Sequence, residues 1–293
     1  MANLRDVRLR MRAIRQTLQV TKAMNLISTA KLRKGRRILQ DTEPFFSRIQ
    51  KSMFDILAGA QMNENQFIKT REAEDVSRAA IVAVTSDKGL AGGYNANIFR
   101  QVNQLCENVK NPILILVGNI GYRYFIHSPW LILENFSFKS RLPDLEDAKE
   151  IADYVIAQYL WGMFNEVHIV YTHMYSSIKL LPRELQLLPL SKSRMQQDFE
   201  KFGKKRVELQ LEYWPSREAV FDALVPQYVK GVIYGSLVEA YASEQSARMS
   251  AMDEASKSAE EMLAGLQIHY NRARQAGITQ EMTEIVGGAE ALS

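Results

Sequence analysis

"AAIVAVTSDKGLAGGYNANIFRQVNQLCENV", residues 79–109, decides how the middle of the chain folds. An apolar run leads into a glycine-rich turn, and the turn leads into a stretch with helical spacing. Strand, glycine turn and helix is the layout of a phosphate-binding loop, and Lys88 stands beside the first glycine. The spacing argues against that use. A P-loop reads G-x-x-x-x-G-K-[ST], so that backbone amides cradle phosphate and the hydroxyl holds magnesium. Here Lys88 precedes Gly89, and no Ser or Thr follows it in register. Gly89, Gly92 and Gly93 also miss the G-x-G-x-x-G of dinucleotide folds, and the next strand ends in "VGNIG" without the required acid. The turn reads as a tight strand-to-helix connection in which glycine supplies positive φ and close packing.

Working outward, "PILILVG" (112–118), "WLILENF" (130–136), "EVHIVYTHM" (166–174) and "VELQLEYW" (207–214) also read as strands. Helical stretches near 95–109 and 144–161 separate several of them. Alternation of this kind predicts an α/β sheet of mainly parallel order. The domain is placed at 77–213, after the polar connection "NQFIKTREAEDVSR".

Both ends have a different texture. The first proline is Pro44, and before it Leu4, Val7, Met11, Ile14, Leu18, Thr21, Asn25, Ser28 and Leu32 recur at alternating steps of three and four. That is the seam of a coiled coil with a polar or small middle. Segment 1–60 is therefore read as a long N-terminal helix region. Segment 214–293 is its C-terminal counterpart, with Val238, Tyr241, Gln245, Met249, Met252, Ala255, Ala259, Met262, Leu266, His269 and Ala273 in a similar pattern. About 60 helical residues would extend roughly 90 Å, well beyond an ordinary domain. Helices draw most of their stability from packing, so the two ends are expected to pair with each other, antiparallel. Ala240, Ala242, Ser243, Ala247, Ser250 and Ala251 lie outside the seam and keep the C-terminal helix small on several faces. More than one partner can approach such a helix closely.

With 293 residues, 46% hydrophobic and 24% charged, the chain can bury a substantial core. No apolar run approaches the roughly 18–20 residues of a membrane span. The arginine-rich N-terminus lacks an apolar signal-peptide core. Cys106 is the sole cysteine, so no internal disulfide forms. His168 and His173 fall on opposite faces of a strand, a poor ligand pair for metal. No G-x-S-x-G elbow, H-E-x-x-H or activated cysteine is present, and the acids are scattered along helices. The net charge of +4 hides an asymmetry, because the first forty residues carry eleven Lys/Arg against Asp6 alone. A basic arm suits nucleic acid, acidic lipid or an acidic protein. The seam carries no recognisable DNA-reading module. An α/β enzyme with helical extensions is the other competing reading.

Four stretches together change the weight: "TKAMNLISTAKLRK", "TSDKGLAGGYN", "ASEQSARMSAMDEAS" and "YNRARQAGITQEMTEIVGGAEAL". In order and spacing, over essentially the whole chain, they resemble the γ subunits of F-type ATP synthases. The resemblance implies a Rossmann-like α/β domain that binds no nucleotide, with long terminal helices paired as an antiparallel coiled coil. It implies a non-catalytic rotor without cofactor, which couples transmembrane ion flow to ATP synthesis or hydrolysis on β subunits. The implied partners are α and β subunits of the catalytic hexamer, an ε subunit and a membrane c-ring, with no nucleic acid. The implied location is the cytoplasmic face of a bacterial plasma membrane. Carried over by position, Lys22, Met24, Arg248, Arg274, Gln275 and Thr279 would contact β, and Tyr213 and Trp214 would lie in the foot near the c-ring and ε. Two departures stand out. The family often has an acid before the foot proline, where this chain has Tyr213, Trp214 and Pro215. Glu290 replaces a small residue in the tail.

Overall fold

The computed structural model describes residues 4–58, 65–68, 78–138, 141–176, 179–190 and 213–290. Two long helices, α1 (Leu4–Ala58) and α5 (Arg217–Glu290), bracket an α/β region. That region runs β1 (Ala79–Val84), α2 (Tyr94–Asn108), β2 (Pro112–Val117), α3 (Asn119–Phe125), β3 (Leu131–Phe136), α4 (Leu145–Leu160), β4 (Glu166–Met174) and β5 (Leu180–Leu188). The chain divides into two compact units, Met1–Thr29 with Arg248–Ser293, and Ala30–Ala247.

The larger unit is built on a five-stranded sheet of order β3-β2-β1-β4-β5. β1 pairs in parallel with β2 and β4, β2 pairs in parallel with β3, and β5 runs antiparallel to β4. Alternation along the strands sorts the core into two faces. Val82, Val84, Ile113, Ile115 and Ile169 pack with α4, with Met53 and Phe54 of α1, and with Phe221, Val225 and Val229 of α5. Ile81, Ala83, Leu114 and Leu116 pack on the other side with Ile98, Val102 and Leu105 of α2 and Phe125 of α3. Every residue of β1 is buried, as a central parallel strand covered on both faces requires. α4 starts in a capping box, in which Asp144 and Asp147 each accept the other's backbone amide.

β5 was not foreseen, because Pro182, Arg183 and Glu184 interrupt its apolar run. It is an edge strand, where a missing N–H is tolerated. "VELQLEYW" falls largely on 207–212, outside the described residues. Neither proline ends its helix. Pro44 lies inside α1 and Pro226 inside α5. Buried Met53, Phe54 and Ile56 follow the first, and Phe221, Val225 and Val229 surround the second. Tertiary packing thus outweighs the roughly 3 kcal/mol that an interior proline costs.

In the smaller unit the helices pair antiparallel. Arg8 donates to the Tyr270 hydroxyl at 2.7 Å, the Thr21 and Ser256 hydroxyls bond at 2.8 Å, and Asn25 Nδ2 donates to the Met249 carbonyl at 3.1 Å. Rising numbers in α1 thus meet falling numbers in α5. All nine seam positions expected in α1 are buried or half-buried. In α5 the expected seam positions are likewise buried or half-buried except at Met262 and His269, where the seam shifts by one. Met262 is 57% exposed and His269 is exposed, while Leu263 and Tyr270 are half-buried. Both phases put an apolar or amphipathic side chain at the alternate positions, so composition alone could not choose between them.

Candidate functional site

The glycine turn is held by the protein's own polar groups. Thr85 Oγ1 donates to the Val117 carbonyl at 2.8 Å and accepts from the Gly121 amide at 3.1 Å. The Ser86 amide donates to Asn95 Oδ1 at 3.0 Å, and Asn95 Nδ2 returns a bond to Ser86 Oγ at 2.7 Å. Asp87 accepts from the Asn119 amide and from Ser137 Oγ, at 3.1 and 2.9 Å. Only Gly92 of the three turn glycines has positive φ, at 55°, and Leu90 shares that region at 63°. The expectation that glycine is there for its φ therefore holds at one position.

In an open α/β sheet, ligands enter the crevice beyond the carboxyl ends of the strands, where strand order reverses. In this chain α5 crosses that place. Leu237, Ala240, Tyr241 and Glu244 face Val84, Thr85, Val117 and Gly118, leaving about 40 Å³. That is room for water-sized occupants, far below the roughly 300 Å³ at which ligand pockets begin. At β4 the same helix is bonded directly, with Ser243 Oγ donating to the Thr172 carbonyl at 3.0 Å. Small residues make this possible. On another face of α5, a Cβ added at Gly35 of α1 would stand 3.4 Å from that of Ala242. A second, open cavity of about 810 Å³ lies along β3 and α4, lined by Glu134, Asn135, Arg141 and Glu150 among others. Among the described residues no group of three His, Cys, Asp or Glu could hold a metal ion. His168 stands between Glu184 at 3.0 Å and Glu166 at 3.3 Å, and His173 lies 2.6 Å from Glu239.

The expected contact residues are spread along the two helices. Lys22 is exposed and ion-paired with Glu260 at 2.6 Å, and Met24 is half-buried. Arg274, Gln275 and Thr279 are exposed, with Thr279 Oγ1 donating to the Gln275 carbonyl at 3.0 Å. Arg248 is only 7% exposed, following a stretch, Tyr241–Ser246, that is buried on every face. Tyr213 packs on the larger core under Arg217, whose guanidinium lies 5.1 Å from its ring centroid. Trp214 is 89% exposed. The side chain of Glu290 lies outside the described residues.

Two solved structures share this arrangement. The chain resembles a chain of the Tetrahymena thermophila mitochondrial ATP synthase central stalk and c-ring, with a TM-score of 0.59 and 24% identity, covering 81% of this chain and 99% of that one. It resembles a chain of the Euglena gracilis mitochondrial ATP synthase, with a TM-score of 0.67 and 17% identity, covering 99% and 94%. The fold is thus that of ATP synthase rotor and stalk chains. In sequence, the family described as ATP synthase matches residues 3–292. The chain is also 40% identical over 294 residues to an ATP synthase gamma chain from Acetivibrio thermocellus, covering 100% of both. The chain belongs to the ATP synthase gamma chain family, and it is a subunit of an ATP synthase.

Proposed function

We propose that this chain is the non-catalytic rotor of a bacterial F-type ATP synthase, turning with a membrane c-ring inside a ring of α and β subunits. Rotation presents different faces of the shaft to successive β subunits. Each orientation then favours a different set of β conformations through differential contact free energy, and so couples ion flow to ATP synthesis or hydrolysis. Among the described residues no helix is long and apolar enough to cross a membrane. The proposed place is peripheral, on the cytoplasmic face of the plasma membrane, held through the c-ring and an ε subunit.

The observation that carries the reading lies in the smaller unit. Its helices leave Val20, Leu26, Ile27, Ile268, Met282 and Ile285 about half or more exposed, outside the seam. Apolar side chains left exposed along both helices are what a protein partner would cover. A surrounding sleeve of protein accounts for them. Lys22, Met24, Arg274, Gln275 and Thr279 are proposed to meet β there, with Tyr213 and Trp214 at the foot. The test is single-molecule observation of a bead on this chain in an immobilised complex with its α and β subunits. Stepwise rotation in one sense during ATP hydrolysis is expected. Hydrolysis by an assembled complex in which the chain stays fixed would overturn the reading.

A further inference from the structure

Consecutive residues at the end of β4 are each tied to one stripe of α5. The Thr172 carbonyl accepts from Ser243 Oγ at 3.0 Å, and the Met174 amide donates to Glu239 Oε1 at 3.2 Å. His173 Nδ1 lies 2.6 Å from the same carboxylate. Glu239 and Ser243 are four residues apart, so they share one helix face. Ser243 is buried, which protects its bond from competing water. Closer to the start of α5, Lys230 pairs with Asp153 of α4 at 3.0 Å.

Apolar packing also holds α5, through Ile233, Leu237 and Ala240. That attraction is non-directional, so it resists separation better than it resists rolling or sliding. Bonds from side chains to a strand's backbone are directional, and they are lost when the helix turns on its own axis. We propose that Glu239 and Ser243 form the torque-bearing joint of the subunit, fixing the rotation and axial position of α5 against the sheet. This rests on the rotor reading. If the sheet is driven and the helix must follow, the clasp carries the load.

The experiment compares wild type with S243A, E239Q and the double variant E239A/S243A, each assembled with α and β subunits. The angular fluctuation of a bead is recorded at a stalled dwell, with the bead on an exposed site of the sheet or of α5 beyond Arg248. Two net hydrogen bonds fewer should raise the variance of the sheet-attached bead at least about twofold, and leave that of the helix-attached bead unchanged. An equal rise at both sites would mean simple loosening of the subunit and overturn the proposal, as would unchanged variance at the sheet. Should the double variant fail to assemble, S243A and E239Q carry the same comparison, with a smaller rise at the sheet alone expected and none overturning it. A wild-type chain that never rotates would defeat the rotor reading instead.

Discussion

At the scale of single residues, two positions are determined by what surrounds them. Gly118 has φ of 99°, and a Cβ there would meet the Thr85 carbonyl oxygen at 2.4 Å. The obstacle is backbone and cannot step aside, so Gly118→Ala should destabilise by roughly 2–4 kcal/mol in chemical denaturation. Wild-type stability would show that the β1 and β2 ends are not this close. Cys106 sits on the buried face of α2, where burial, with Glu107 adding to it, pushes its thiol up from 9.0 to about 12. It should resist maleimide at pH 8 until the chain unfolds, because the thiolate is the nucleophile. The sign for stability follows: the unfolded thiol ionises first, so folding weakens as pH rises from about 9 to about 12. Measured against Cys106→Ala, that slope should flatten. That the turn departs from phosphate-binding spacing was legible from the residues alone. The groups that hold it, Asn95 and Asp87, were not, since ordinary polar residues in a turn carry no signature of what they bind.

At the scale of elements, legibility followed periodicity. The α1 seam could be read because its positions keep one phase through Thr21, Asn25 and Ser28, where hydrophobicity fails but small size does not. In α5 the same reasoning slipped at Met262, because a flexible apolar side chain fits a seam or a surface equally well. β5 and α3 escaped notice, one broken by Pro182 and charges, the other only 7 residues long. Burial of α5 on all sides near 241–246 was foreshadowed by its small residues, though which neighbours approach was not. That close approach makes a prediction. Gly35 has φ in the ordinary range, and an added Cβ meets Ala242 at 3.4 Å, so Gly35→Ala should be neutral or stabilising by up to about 1 kcal/mol. Gly35→Leu should push the helices apart and destabilise by roughly 1–3 kcal/mol. Thermal melts of both variants, changing in the same direction, would contradict this packing.

At the scale of the whole molecule, function depends on contacts that the chain makes with other subunits. Arg274 and Gln275 are both exposed and point about 100° apart on their helix, so their loss should leave the fold intact. Arg offers permanent charge and Gln both donor and acceptor. If they hold a β loop in one rotary orientation, R274A/Q275A should slow steady ATP hydrolysis by the assembled complex roughly two- to tenfold. Torque measured on the same complexes separates a weakened contact from a missing one. Wild-type turnover and torque would mark the pair as solvated bystanders. The crevice beyond the strands has a consequence of its own. Its two possible occupants, a ligand and α5, are mutually exclusive, so they are competitors in the thermodynamic sense. A compound selected to fill that space would draw its binding free energy against the docking of the helix, and occupancy would rise as the joint opened. Such a compound would act as a clutch, letting the sheet turn while the helix stood still.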